Sequence, residues 1–382
     1  MSKEIKYFGY YDSLSNAEEE RTYSPAAKTK MDYVCQVLNR CGFDVCLVSP
    51  CKTRTSKVLP GKTLKLDERN TLKLFMTLGS GSKLRHALDY LLGNLLLFIY
   101  LLRHVRKDEQ ILVYHSLGYG NVINLARRIR RFKVILEVEE IYQDAVDCSP
   151  RRQRIEYQSF DQADSFIFPS AHLGDRINRN HRPSLLIHGT YSISASPLQR
   201  SLDHRIHVVY AGTFERRKGG ALAAIDAAVF LPDSYHVHIL GFGSEQEVED
   251  ILSAIADVNA QSSAQVTYDG MLTGQTYENF LHTCHIGLST QNPDLAFNDT
   301  SFPSKILSYM AHGLQVVSAR IKVVETSAVG EYVECYDGSS PRDIAEAIIR
   351  VDVNHHVDGR SILKRLDQEL VRQIPSFMQS CR

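Results

Sequence analysis

The chain has 382 residues, 43% hydrophobic and 23% charged, a soluble globular composition with length enough for two domains. No apolar run with a small-residue cleavage site stands at its start, and its eight cysteines form neither a CxxC pair nor a metal-ligand spacing, which points to a cytoplasmic protein with reduced, structural thiols. Formal net charge is zero, yet residues 1–200 carry 30 Lys and Arg against 21 Asp and Glu, while residues 201–382 carry 14 against 23.

A basic half suits nucleic acid, an anionic membrane face or a phosphorylated ligand. No nucleic-acid motif accompanies it, so nucleic acid is not an expected partner. In chain order, IKYFGYY (5–11) reads as a strand, followed by a polar loop to residue 21 in which Asn16 and Arg21 are candidate ligand contacts. AAKTKMDYVCQVLNR (26–40) places Met31, Val34, Cys35 and Leu38 on one helical face, Gly42 ends it, and FDVCLVSP (43–50) is the next strand. The most apolar stretch, LLGNLLLFIYLL (91–102), is shorter than the ~20 residues of a membrane span and basic at both ends. A buried helix and a helix touching an anionic surface both fit it.

QILVYHS (110–116), FKVILEVEE (132–140), SFIFPSA (165–171) and SLLIHGTY (184–191) complete a first set of strands alternating with helices, the pattern of a parallel sheet. Residues 192–206 are polar and contain Pro, as a linker would. The alternation restarts with the strands HVVYAGTF (207–214), YHVHILGFG (235–243), AQVTYDGM (264–271), HIGLSTQ (285–291) and LQVVSA (314–319). The boundaries read as 1–195 for a first domain, 196–206 for a linker, 207–355 for a second domain and 356–382 for a helical tail. Two open parallel α/β units place a ligand at the strand C-termini, in a cleft between domains.

Residues 302–319, FPSKILSYMAHGLQVVSA, read as a loop opening a short helix, a stop at Gly313 and a buried strand. Pro303 suits the first turn, and Lys305 stands beside backbone N–H groups near Ser304 that lack helical partners, an arrangement that attracts phosphate. An ordinary capped helix of an α/β core fits the same residues. Upstream, Gly212 lets main chain approach a ligand, and Arg217 and Lys218 supply cationic donors or simply an exposed basic turn. In the first half, His115, Glu137, Glu139 and Glu140 end two strands; His115, Glu139 and Glu140 are the candidate bases, with strand-end solubility as the alternative. Asp269, Asn298 and Asp299 are candidate sugar or metal contacts, but no DxD triplet stands in a suitable loop, and no metal is expected.

Four blocks in order, YAGTFERRKGG (210–220), HILGFGSE (238–245), VTYDGML (266–272) and FPSKILSYMAHGLQVVS, resemble the donor domain of GT-B glycosyltransferases, especially family 4 and related bacterial polysaccharide enzymes. The resemblance implies an α/β GT-B fold: two Rossmann-like parallel-sheet domains facing across a cleft, acceptor in the first and nucleotide sugar in the second. It implies a donor site of Gly212, Arg217, Lys218, Gly241, Gly270, Met271, Pro303, Ser304, Lys305 and Ser308, a donor-sugar contact near His115, and a hinge at His188–Gly189. The paired Glu of that family fall here at Thr300 and Ser308, and Thr213 stands where many members carry Arg after the glycine. The implied activity is metal-independent, cofactor-free hexosyl transfer from a nucleotide sugar, UDP-linked, to a glycan or lipid-linked saccharide in surface-polysaccharide assembly at the inner membrane face. The missing Glu pair leaves two rivals: a degenerate nucleotide-binding scaffold, and a GT-B nucleotide-sugar epimerase.

Overall fold

Apolar runs bounded by turn residues become strands in both halves, and each half builds its own sheet. The computed structural model describes residues 3–145, 149–194, 203–215, 219–354 and 357–381. The chain divides into one unit of residues 1–187 with 369–382 and another of residues 188–368.

The first unit holds eight strands: β1 (Lys3–Phe8), β2 (Phe43–Ser49), β3 (Lys62–Lys65), β4 (Asn70–Leu74), β5 (Gln110–Tyr114), β6 (Lys133–Glu137), β7 (Ser165–Phe168) and β8 (Ser184–Leu186). Their order is β3-β4-β2-β1-β5-β6-β7-β8, parallel throughout except for the antiparallel β3–β4 pair. That pair was not legible in KTLKLDERNTLKL, because lysines alternate with its leucines. β4 buries Asn70, Leu72 and Leu74, every second residue, as a half-buried strand does. Asp67 closes the turn, its Oδ1 accepting from Arg69 N and Asn70 N, each at 2.8 Å.

On one face of this sheet Phe8, Ile111, Val113, Leu136, Phe166 and Phe168 meet Leu97 and Leu101 of a 22-residue helix, Lys83–His104. Burying each such side chain stabilises the fold by about 1.5–3 kcal/mol. Among the described residues this is the one helix long and apolar enough to cross a membrane by length and composition. The expectation of a buried helix holds for one face only: Leu84, Leu88, Leu91 and Leu95 lie exposed along the other.

Residues 369–382, expected within a separate tail, belong to the first unit. Cys41 Sγ donates to Val371 O at 3.4 Å and Gln110 Nε2 to Met378 O at 3.0 Å. Leu370, Ile374, Phe377 and Met378 form the buried face of the last helix, Gly359–Ser380, and burying that stripe is the reason the segment packs down. The unit boundary falls at 187/188 rather than 195, and residues 195–202 of the expected linker region lie outside the described residues.

The second unit carries β9 (Ile206–Thr213), β10 (Tyr235–Phe242), β11 (Gln265–Gly270), β12 (Ile286–Ser289), β13 (Gln315–Ala319) and β14 (Val333–Tyr336), all parallel, in the order β11-β10-β9-β12-β13-β14. Alternating helices cover it, one of them, Glu245–Asn259, started by a Ser244/Glu247 capping box. The register sets Gly241 opposite Gly212. Gly241 has φ +149, and a Cβ there would stand 1.8 Å from Gly212 O. Gly241→Ala is therefore expected to cost at least about 2 kcal/mol, because both the backbone angle and the contact oppose it. Urea unfolding measures this; a loss under about 0.5 kcal/mol would show that the two strand ends part without strain.

Candidate functional site

In the second unit the site is built at the strand C-termini, from a helix seated on a tyrosine. The helix Lys305–Ala311 directs Tyr309 into the sheet, fully buried, with Gly287 beneath its ring: a Cβ on Gly287 would come 2.3 Å from Tyr309 Cγ. Tyr309 Oη accepts from Ala211 N at 2.9 Å and donates to Leu288 O at 3.3 Å, tying the helix to the ends of β9 and β12. Residues four apart share a helix face, so Lys305 projects over the same strand ends. Its Nζ lies 4.2 Å from the Tyr210 ring centroid, within cation–π range, and 3.1 Å from where a Cβ on Gly212 would stand. Sequence-predicted Gly212, Gly241 and Lys305 thus come together. Ser304 precedes the helix with helical φ/ψ, and its side chain makes no capping bond.

Gly270 ends β11 with φ +78 and open space at its Cβ position, and Met271 beside it is exposed. Arg217 and Lys218 lie outside the described residues. Ser308 is half-buried and its side chain hydrogen-bonds the Tyr277 phenol. Two expected sugar or metal contacts serve the protein itself. Asn298 is buried, its Oδ1 accepting from Gln291 Nε2 at 2.7 Å and its Nδ2 donating to Asn292 O at 2.6 Å. Asp269 Oδ2 lies 3.0 Å from His238 Nδ1 and accepts from Thr267 Oγ1 at 3.0 Å. Asp299 is exposed. At the proposed hinge, His188 Nε2 accepts from Ala328 N at 3.3 Å, and a Cβ on Gly189 would come 2.8 Å from Leu307 Cδ1 on the Lys305 helix.

In the first unit a cavity of about 400 Å³ opens at the ends of β1 and β5, walled by Tyr10, Tyr90, Tyr114, His115, Tyr119 and Tyr142. Six ring-bearing side chains around a space that size give a surface suited to stacking on a sugar or an apolar chain. Lys52 also lines it, its Nζ 5.1 Å from the Tyr90 ring centroid.

His115 departs from its expected role as a base. It is almost wholly buried between the rings of Tyr142 and Phe160, and burial presses its pKa down to about 3. The imidazole is neutral across the physiological range and basic only weakly. Its Nε2 lies 3.7 Å from Glu156 Oε1, which accepts from Tyr142 N at 2.8 Å. Burial raises Glu156 to about 7, despite the backbone N–H groups of Tyr142 and Gln143 that favour its charged form. Sequence reasoning passed over Glu156, although its place on the buried face of the helix Pro150–Gln162, with Ser159 and Phe160, was a readable signal.

The acids after β6 sort differently from expectation. Glu139 Oε1 forms an ion pair with buried Lys30 Nζ at 3.0 Å, and the same ammonium donates to Ile187 O at 2.7 Å. Glu140 stays half-buried at the strand end. Glu137 is fully buried, accepts from Tyr7 Oη, and is raised to about 7 by burial, against the pull of Lys30. Asn16 and Arg21 are corrected from acceptor contacts to internal fasteners, both buried. Asn16 Nδ2 donates to both Asp12 oxygens at 3.0 Å, and Arg21 donates to Glu19 at 2.7 Å and Phe75 O at 2.9 Å. An Asn or Arg in a sequence-polar loop looks solvated until that loop packs down on a carboxylate.

A carboxyl whose folded pKa lies above its unfolded value contributes stability fully below the unfolded value and loses it as pH rises through the folded one. Glu156 therefore costs the fold increasingly between about pH 4.5 and 7. Glu156→Gln is expected to match the parent near pH 4 and to exceed it by about 2–3 kcal/mol at pH 8, read by denaturant unfolding at both pH values. Equal pH profiles for the two proteins would show that Glu156 titrates normally.

No protein-family model and no curated protein sequence matches the chain. Solved structures do. Sucrose-phosphate synthase from Thermosynechococcus elongatus superposes with a TM-score of 0.71 at 14% identity, covering 99% of this chain and 98% of that one. The lipopolysaccharide outer core galactosyltransferase WaaB gives 0.65 at 14% identity, covering 99% of each chain. HepE of Anabaena, in complex with UDP and glucose, gives 0.65 at 13% identity over the whole of both chains. At such identities the likeness is one of fold.

Proposed function

We propose that this chain, which has the GT-B fold, is a glycosyltransferase moving a sugar from a UDP-linked donor to a glycan or lipid-linked saccharide acceptor in surface-polysaccharide assembly. The observation that carries the reading is the placement of Lys305 over Tyr210 and Gly212, at strand ends where glycines leave the main chain open. UDP and glucose in HepE, a galactosyltransferase in WaaB and a sugar-phosphate product in sucrose-phosphate synthase are consistent with it.

In such a transfer the C1–O bond to the diphosphate breaks, its electron pair leaving on the β-phosphate oxygen, while the acceptor hydroxyl oxygen bonds C1 and gives up its proton. Charge gathers on the departing diphosphate, and a fixed ammonium lowers the barrier by meeting it there. Lys305, the uncapped helix start at Ser304 and backbone at Gly212 and Gly241 supply that environment. The reading assigns this work to side chains and main chain, with no metal. Near pH 7 a carboxyl raised to about 7 exchanges a proton readily, which makes Glu156 beneath the tyrosine cavity a better acid–base candidate than His115.

Nucleoside diphosphates test the donor half. UDP is expected to raise the melting temperature, and Lys305→Ala to weaken its binding at least tenfold, by loss of about 1.4 kcal/mol or more of charge-assisted contact. Unchanged UDP affinity in Lys305→Ala removes Lys305 from the site. A second reading, a nucleotide-binding scaffold without turnover, draws on Ser308, whose side chain is engaged by Tyr277 where the family carries a ribose-binding Glu. Binding with no sugar transfer to any acceptor pool would favour it.

The acceptor side is assigned to an anionic membrane surface. Leu84, Leu88, Leu91 and Leu95 recur every three to four residues as an exposed stripe on Lys83–His104, and the adjacent helix Gly120–Arg130 adds exposed Leu125 and Ile129. Lys83, Arg103, Arg128 and Arg130 on these two helices, and Arg106 and Lys107 just after the first, are exposed as well. An apolar stripe edged by cations is the pattern of a helix lying in a lipid interface. Co-sedimentation with phosphatidylglycerol vesicles is expected, weakening with salt and with replacement of Leu88, Leu91 and Leu95 by Ser; equal binding by that variant would exclude the stripe.

A further inference from the structure

In its first half the β9–β10 pair carries a histidine cluster that the transfer chemistry does not use. His207 begins β9, and His236 and His238 begin β10, on the same face because 207 pairs with 236 and strand side chains alternate. One ligand atom from each of the three rings lies within 4.8 Å of the other two.

The carboxylates behind two of the rings set their orientation. His207 Nε2 lies 2.6 Å from Asp203 Oδ1, and His238 Nδ1 lies 3.0 Å from Asp269 Oδ2. An ionised carboxylate only accepts, so both of those ring nitrogens carry their protons. The remaining nitrogens, His207 Nδ1 and His238 Nε2, turn toward each other at 2.8 Å. Two lone pairs cannot face each other at that distance; a shared proton or a cation has to lie at the junction. His236 stands beside His238, ring centroids 3.9 Å apart.

We propose that His207, His236 and His238 form a binding site for a borderline divalent transition ion of the zinc class, with Asp203 and Asp269 holding two of the imidazoles in the ligating tautomer. Imidazole nitrogens suit such ions, and a carboxylate behind a ligating histidine fixes the ring and raises its basicity. With metal–nitrogen bonds of about 2.0–2.1 Å, tetrahedral donors stand about 3.3–3.4 Å apart, so the His207–His238 pair opens by only about half an ångström. His236 is half-buried and gives the ion a way in, and water fills the fourth position. From His207 to Gly212 the strand runs roughly 16 Å, so the ion ties β9 to β10 away from the Gly212 end of β9, with Asp269 reaching it from β11.

Cobalt(II) titration of the chelator-treated full chain tests this, since tetrahedral cobalt shows visible absorption that solvated cobalt lacks. One equivalent is expected to give that band, zinc to abolish it by competition, and either ion to raise the melting temperature with UDP affinity unchanged. His236→Gln, at a half-buried position that tolerates change, is expected to weaken binding at least tenfold. Asp269→Asn is expected to weaken it 10–100-fold through the ring it orients. Exposed His86→Ala serves as the control and leaves binding as in the parent. Absence of the band, or a band of undiminished affinity in His236→Gln and His238→Ala alike, overturns the proposal.

Discussion

Main chain lies against main chain where β9 and β10 end, and the second unit depends on that contact. Gly212 O occupies the space where any side chain on Gly241 would have to begin. The same closeness leaves a strand edge bare of Cβ atoms, the condition for a bulky anion to reach backbone. Tyr309 completes the edge: its hydroxyl joins β9 to β12, and its helix carries Lys305 over Tyr210 at the same time. Core packing and the charge over Tyr210 are therefore set by one seven-residue helix.

The first unit meets a different constraint, the cost of ionisable groups away from water. Glu137, Glu156 and His115 are buried, and burial favours the uncharged form of each: both carboxyls rise to about 7 and the imidazole falls to about 3. Groups held so far from their ordinary values are common where a protein manages protons. Lys30 and Glu139 show another arrangement, a buried ammonium paired with a carboxylate and hydrogen-bonded to a carbonyl. The first half, the more basic one, also carries the exposed leucine stripe of Lys83–His104.

The parallel sheets were legible because apolar runs of strand length alternate with helical periodicity. Gly212, Gly241 and Lys305, singled out from their places in strand–loop–helix blocks, stand near one another at the strand C-termini. β3 and β4 were hidden by lysines. Asn16 and Arg21 were misread because their partners, Asp12, Glu19 and the Phe75 carbonyl, include groups that only folding brings near. His115 was found at its strand end, but its weak basicity comes from rings of other elements.

Local sequence was enough for what depends on neighbours along the chain: strand and helix order, two α/β units, the glycine-ended turns and the helix that Lys305 begins. What depends on neighbours across space came from the fold. The approach of Glu156 to His115, the seat of Tyr309 over Gly287, the return of residues 369–382 to the first unit, and the meeting of His207, His236 and His238 join residues 22 to more than 300 positions apart, apart from the adjacent strands that bear the histidines. Periodicity records which face of an element is apolar. It does not record which polar group is delivered to that face from elsewhere, and desolvation and hydrogen bonding, which decide protonation and chemistry, act through those delivered groups.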